Sequence, residues 1–99
     1  MQINKSVDNN VLNVSLSGRL DTMTAPELEA AVKTDLENVT SAVLDLKDLE
    51  YVSSAGLRII LTMHKTLAGK NGLTVKNPNE TVDEVFDITG FSDILNIEK

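Results

Sequence analysis

Apolar and polar residues alternate at Leu12, Val14 and Leu16, the period-two signature of a strand with one face in a core. A shorter strand-like segment, Ile3–Val7, precedes it. Asp8-Asn9-Asn10 stands between the two, and asparagine tolerates positive φ, so the pattern predicts a β-hairpin whose second strand ends at Gly18. The period then lengthens. Leu28, Ala31, Val32 and Leu36 share one face of a helix over Thr24–Asn38. Thr24 and Glu27 have capping-box spacing, Pro26 lies in the first turn, and Met23 is placed to staple onto Leu28.

The run Ser41–Leu49, with Val43, Leu44 and Leu46, predicts a central buried strand. A second helix falls within Ser53–Gly72, where Leu57, Ile60, Leu61, His64, Leu67 and Ala68 recur at helical spacing and Ile59 and Met63 widen the stripe. Leu73–Asn77 reads as a further strand. Asn79–Gly90 reads as a third helix with Val82, Val85 and Phe86 inward and Gly90 as its stop. The tail from Phe91 to Lys99 fits a short helix or a last strand equally well. The order β-β-α-β-α-β-α predicts an α/β fold: a mixed, mainly parallel sheet with an N-terminal hairpin and crossover helices. Loops at the carboxyl ends of parallel strands gather function. Those loops are Gly18–Ala25 and Leu49–Gly56.

Composition narrows the class. Ninety-nine residues suit one domain, 1–99, and the aromatics are only Tyr51, Phe86 and Phe91, so the core is aliphatic. A net charge of −6 disfavours nucleic acid and anionic membrane. With no cysteine there is no disulfide, thiolate metal site or cysteine nucleophile. The N-terminus lacks a signal-peptide pattern and no apolar stretch reaches membrane-spanning length, so the expectation is a cytoplasmic protein.

Ser53 suits the N-cap of the second helix, leaving Ser54 at its first position. Gly56 inside that first turn costs about 1 kcal/mol relative to alanine. Either it permits close packing against a neighbouring loop, or it keeps the backbone bare for a partner or a phosphate. Ser54 is either one more serine near a helix start or a phosphoacceptor. Asp21 fits an Asx turn or a partner contact. Asp45, between apolar neighbours, is expected to be tied to a backbone N–H or a helix start. Arg58 points to solvent. His64 is expected in or beside the core, with no nucleophile or orienting acid at a clear spacing.

The successive motifs Gly18-Arg19-Leu20-Asp21, Val43-Leu44-Asp45-Leu46 and Val52-Ser53-Ser54-Ala55-Gly56-Leu57-Arg58 resemble the signatures of the STAS domain family, specifically its single-domain bacterial anti-sigma factor antagonists. The resemblance extends over nearly the whole chain. It implies a partner-switching protein, without catalysis or cofactor, that binds an anti-sigma factor with serine kinase activity and so releases a sigma factor. It implies Ser54 as the residue phosphorylated to abolish binding, and a PP2C-type phosphatase that reverses this. Many members carry Asp before the acceptor and Ser or Thr after it, where this chain has Ser53 and Ala55, which makes Ser53 a second possible acceptor. The implied partner face comprises Asp21, Thr22, Met23, Thr24, Ser53, Ser54, Ala55, Gly56 and Arg58. Two other readings keep the sequence pattern: a constitutive accessory subunit of a transporter ATPase or larger complex, and a small phosphocarrier using His64.

Overall fold

The computed structural model describes all 99 residues, Met1–Lys99. Strands β1 (Gln2–Asp8) and β2 (Val11–Leu20) form the hairpin, followed by α1 (Ala25–Asn38), β3 (Ser41–Val52), α2 (Ser54–Leu67), β4 (Gly72–Lys76) and α3 (Glu80–Thr89). A short 3-10 turn at Phe91–Asp93 leads into β5 (Asn96–Glu98). The tail is thus both of the things its pattern allowed, a helical turn and then a strand.

Sheet order is β1-β2-β3-β4-β5, with β1 antiparallel to β2 and every later pair parallel. This is the mixed, mainly parallel architecture that the periodicity predicts. Strands that advance across a sheet in chain order, joined by right-handed crossovers, return every helix to the same face. Burial follows that rule. On β2, Leu12, Val14 and Leu16 are buried while Asn13 and Ser15 are exposed. β3 is central as expected, but only one of its faces is covered: Ala42, Leu44 and Leu46 are buried, and Val43 lies half-exposed on the other side. Val43 on the open face made the run look continuously apolar.

The core is one contiguous cluster of 24 buried apolar residues, with Phe86 its only aromatic and no buried polar residue. On the edge strand β1, Lys5 Nζ reaches α1, donating to the Ala31 carbonyl (2.6 Å) and pairing with Asp35 Oδ2 (2.7 Å). This inward-facing charge fastens helix to edge and blunts the edge as a template for another strand.

Several boundaries differ from expectation, each for a local reason. The hairpin turn is Asn9-Asn10 alone, at φ 51° and 65°, and Asp8 still pairs with Val11. Gly18 does not end β2. It lies inside the strand at φ 95°, and a Cβ there would stand 3.3 Å from Met1 Cα. Ser15 pairs with Asp45 but Ser17 with Asp48, and Gly18 pairs with Leu49 but Arg19 with Tyr51, so β3 carries two bulges. Each bulge returns the next apolar side chain to the covered face, and Leu46, Leu49 and Val52 are all buried. β3 therefore continues to Val52 instead of stopping at Leu49.

α2 stops at Leu67, and its buried stripe is Gly56, Leu57, Ile59, Ile60, Met63 and Leu67. Leu61 and His64 lie half-buried on its flank, and Ala68 is exposed. α3 begins at an Asn79 cap, whose Oδ1 accepts from the Val82 amide (2.8 Å), and ends at Gly90 in the left-handed region.

Phe86 is fully buried where α3 meets the sheet. Phe86→Ala should lower stability by about 3–5 kcal/mol in urea unfolding, a large share of the about 5–15 kcal/mol typical of a domain.

Candidate functional site

The carboxyl ends of β2 and β3 lie side by side, Leu20 paired with Val52. The Ser53 amide donates to the Leu20 carbonyl at 2.9 Å, so the β2–α1 turn and the start of α2 are joined by a main-chain bond. Everything else at the site is built on this junction.

The β2–α1 turn is organised by Asp21. Its Oδ1 accepts from the amides of Met23 (3.0 Å) and Thr24 (3.1 Å) and from the Thr24 hydroxyl (3.2 Å). Its main-chain carbonyl accepts from the Ala25 amide (2.8 Å). The Thr24 hydroxyl accepts in turn from the Asp21 amide (2.8 Å) and lies within donating distance of the Arg19 carbonyl (2.8 Å). The Asx turn is therefore the arrangement present. The capping box is not: Thr24 occupies the N-cap of α1 but makes no side-chain capping bond, because its hydroxyl is engaged behind it with Arg19 and Asp21. Nor does Met23 staple onto Leu28. The same turn points Met23 outward, leaving it 82% exposed.

The Thr24 amide bonded to the Asp21 carboxylate holds its pKa below the ordinary aspartate value. Partial desolvation opposes this, while the Met23 amide, the Thr24 hydroxyl and the Arg19 charge reinforce it. Asp21 is thus a fixed anion beside the start of α2.

Ser53 is the N-cap of α2, with extended backbone and Oγ 3.5 Å from the Gly56 amide that it caps. Ser54 follows as the first helical residue and is exposed. No acidic residue lies in this first turn, whereas α1 has Glu27 there and α3 has Glu80 and Asp83. Of the two accounts of Gly56, the structure favours packing. Gly56 is buried, and a Cβ on it would stand 2.6 Å from Leu20 Cγ and 3.0 Å from Val52 Cγ2. The bare backbone accommodates Leu20 and is not open to an approaching group.

The exposed set around this junction is Thr22, Met23, Ser54 and Arg58, with Asp21, Thr24, Ser53 and Ala55 half-buried among them. Arg19, which the motif reading included without giving it a role, lies over the ring of Tyr51 with its guanidinium carbon 4.6 Å from the ring centroid. Only their pairing across bulged strands brings these two together, and no local pattern signals it. Asp45 lies away from this set. Its Oδ1 accepts from the Lys47 amide (3.0 Å) and from Asn77 Nδ2 (3.1 Å), the backbone tie expected of it.

The one pronounced hollow, about 290 Å³, lies between α1 and α2 over Val32, Leu36 and Ile59 and includes none of the residues around Ser54. The junction is an open surface, not a pocket that encloses a small molecule. No helix is long and apolar enough to cross a membrane.

Residues 2–99 match the family model described as STAS domain. The chain is 32% identical over 100 residues to the anti-sigma-B factor antagonist of Bacillus subtilis strain 168, covering 98% of this chain and 92% of the relative. An anti-sigma factor antagonist from Mycobacterium paratuberculosis, solved as a crystal structure, superposes with a TM-score of 0.88 at 26% identity, over 98% of this chain and 84% of that one. The phosphorylated form of the Bacillus cell fate determinant SpoIIAA superposes with a TM-score of 0.76 at 20% identity, over 99% of this chain and 92% of that one, a likeness of fold.

Two expectations follow from the junction. Gly56→Ala should destabilise by about 1–3 kcal/mol through overpacking against Leu20, although alanine is the better helix former by about 1 kcal/mol. Gly69→Ala, where an added Cβ meets nothing within 4 Å, should stay within about 0.5 kcal/mol; equal effects in urea unfolding would refute the packing account. Second, a lowered carboxylate pKa gives stability that is fully present above the unfolded-chain value of about 3.9 and is lost as pH falls through the lower folded value. Carboxyl NMR should place the Asp21 midpoint below that of an unstructured aspartate. The stability gap between the chain and its Asp21→Asn variant should close as pH falls through this window.

Proposed function

The chain belongs to the STAS domain family, and from that premise we propose that it is an anti-sigma factor antagonist, acting as one domain over residues 1–99 in the cytoplasm. The observation that carries this is the exposed Ser54 hydroxyl at the first position of α2, bonded through its neighbour Ser53 to the turn that presents Asp21 and Met23. Unmodified, this face docks an anti-sigma factor that is also a serine kinase, and the sigma factor is set free. The face comprises the Asp21–Thr24 turn, the Ser53–Ala55 helix start and Arg58, with Gly56 contributing from beneath by letting the two loops close.

Phosphorylation reverses the state. The kinase transfers the γ-phosphoryl group of ATP to Ser54 Oγ: a phosphorus–oxygen bond forms at the serine, the bond to the ADP oxygen breaks, and the hydroxyl proton leaves to a base on the kinase. The chain supplies acceptor and surface, and the catalysis is the partner's. Phosphate adds about −1.5 to −2 charge. At the start of a helix, where the first amides lack helical acceptors, the fold tolerates that charge. A docked protein surface does not, since desolvated like charges cost several kcal/mol. A PP2C-type phosphatase hydrolyses the ester and restores binding. His64, half-buried on the flank of α2, has no part in this scheme.

Ser54→Asp should weaken binding to the kinase-type anti-sigma factor by roughly 100-fold or more, whereas Ser54→Ala should bind yet resist inactivation by kinase and ATP. His64→Gln should do neither. Calorimetric titration separates the three, and tight binding by Ser54→Asp would sink the switch. Phosphopeptide mass spectrometry of the protein from growing and stressed cells should find a phosphate on Ser54 that varies with condition. Phosphate on Ser53 would move the acceptor by one residue, and none in any condition would favour a constitutive accessory subunit.

A further inference from the structure

We infer that Arg58 is the internal counter-ion of a phosphate on Ser54, an inference that rests on the acceptor role proposed above. Ser54 and Arg58 are four residues apart in α2, and both are exposed. Residues at that spacing are neighbours on a helix surface, about 5–6 Å apart at Cβ. Long side chains on a helix lean towards its N-terminus, which brings a phosphate on Ser54 within reach of the Arg58 guanidinium. The order is also the favourable one, with the anion N-terminal to the cation.

Arg58 has no competing partner. The ion pairs of the structure use Lys5, Lys76 and Lys99, and α2 contains no acidic residue at all. The one side-chain hydrogen bond to Arg58 is made to its main-chain carbonyl, by the Thr62 hydroxyl at 3.0 Å. The free guanidinium offers the forked donors that phosphate accepts in pairs. Arg19, the only other arginine, is held over Tyr51.

Among the residues of the proposed face, Arg58 is the one cation. In the unmodified chain it is free to meet an acidic group on the partner. With phosphate on Ser54 it folds back along its own helix. Phosphorylation therefore changes the surface twice, adding an anion and withdrawing the cation that the partner would have met.

The test uses the full chain with phosphoserine placed at position 54 during translation, and the unmodified chain, each with and without Arg58→Gln, in thermal unfolding followed by circular dichroism. The gain in melting temperature from phosphoserine should be larger by about 1–4 °C when Arg58 is present. Arg58→Lys should keep part of that coupling, added salt should shrink it, and Arg19→Gln should leave it unchanged. Equal gains with and without Arg58 overturn the inference, and a coupling that follows Arg19 assigns the role to that residue instead. No kinase enters this experiment. A cell in which Ser54 is never phosphorylated defeats the acceptor reading, whereas a vanishing coupling defeats only the Arg58 pairing.

Discussion

Leu20 and Gly56 meet because Gly56 has no side chain to hold them apart, and the placement of the exposed residues follows from that contact. Leu20 is the last residue of β2 and fully buried. The Asp21 turn starts at the next position, so wherever Leu20 is anchored the turn is anchored too. Gly56 lies in the first turn of α2, two residues beyond Ser54. Seating Gly56 on Leu20 and Val52 fixes the height and lean of the helix start, and the Ser53–Leu20 main-chain bond fixes its lateral position. The exposed residues of the proposed face are thereby held by apolar residues beneath them. The helix-propensity penalty of about 1 kcal/mol for glycine is what this close approach costs.

The contact exists only because β3 reaches as far as it does. Two bulges let a strand whose buried residues recur at every third position, Leu46, Leu49 and Val52, keep facing the helices. An unbulged strand alternates with period two, and would have turned Leu49 to the open face of the sheet. This is why the sequence reads as a strand ending near Leu49 followed by a loop: spacing of three fits neither template. Gly18 belongs to the same distortion, a positive-φ residue between the two bulges, and glycine in a strand pattern looks locally like a terminator. Elsewhere the period was a sufficient guide. The hairpin, three helices, parallel strands and an aliphatic core were legible because each depends on a local repeat and on a crossover rule that admits one handedness.

Legibility at the site divides by whether a signal was local. Ser53 as cap and Ser54 as first helical residue needed only the residue types and the helix start. The capping box failed because two hydrogen-bonding patterns compete for one hydroxyl. Thr24 lies three residues before Glu27 and three after Asp21, and spacing alone cannot say which way its side chain turns. Once Asp21 claims it, the entry angle of the chain changes, and Met23 loses its packing partner to become the most exposed large apolar side chain of the site. The choice between packing and accessibility at Gly56 was invisible for a different reason. It depends on Leu20, thirty-six positions earlier in sequence and adjacent only in the fold.

Fold stability and the proposed switch draw on separate groups of atoms. The core is apolar throughout, with no buried polar residue, so nothing in it responds to charge at the surface. The charged and polar groups of the proposed switch stand outside it: Asp21 held ionised by its own turn, Ser54 exposed at the start of α2, and Arg58 unpaired one turn along that helix. The net charge of −6 acts at a distance, and this field is screened over about 8–10 Å at physiological salt. A phosphate and a guanidinium one helical turn apart lie inside that length. Long-range approach of a partner is therefore the more sensitive to salt, while the local charge pairing proposed at Ser54 is weakened by added salt without being abolished at physiological strength. A phosphate at Ser54, as proposed, would then change the surface charge without reopening the question of whether the protein folds.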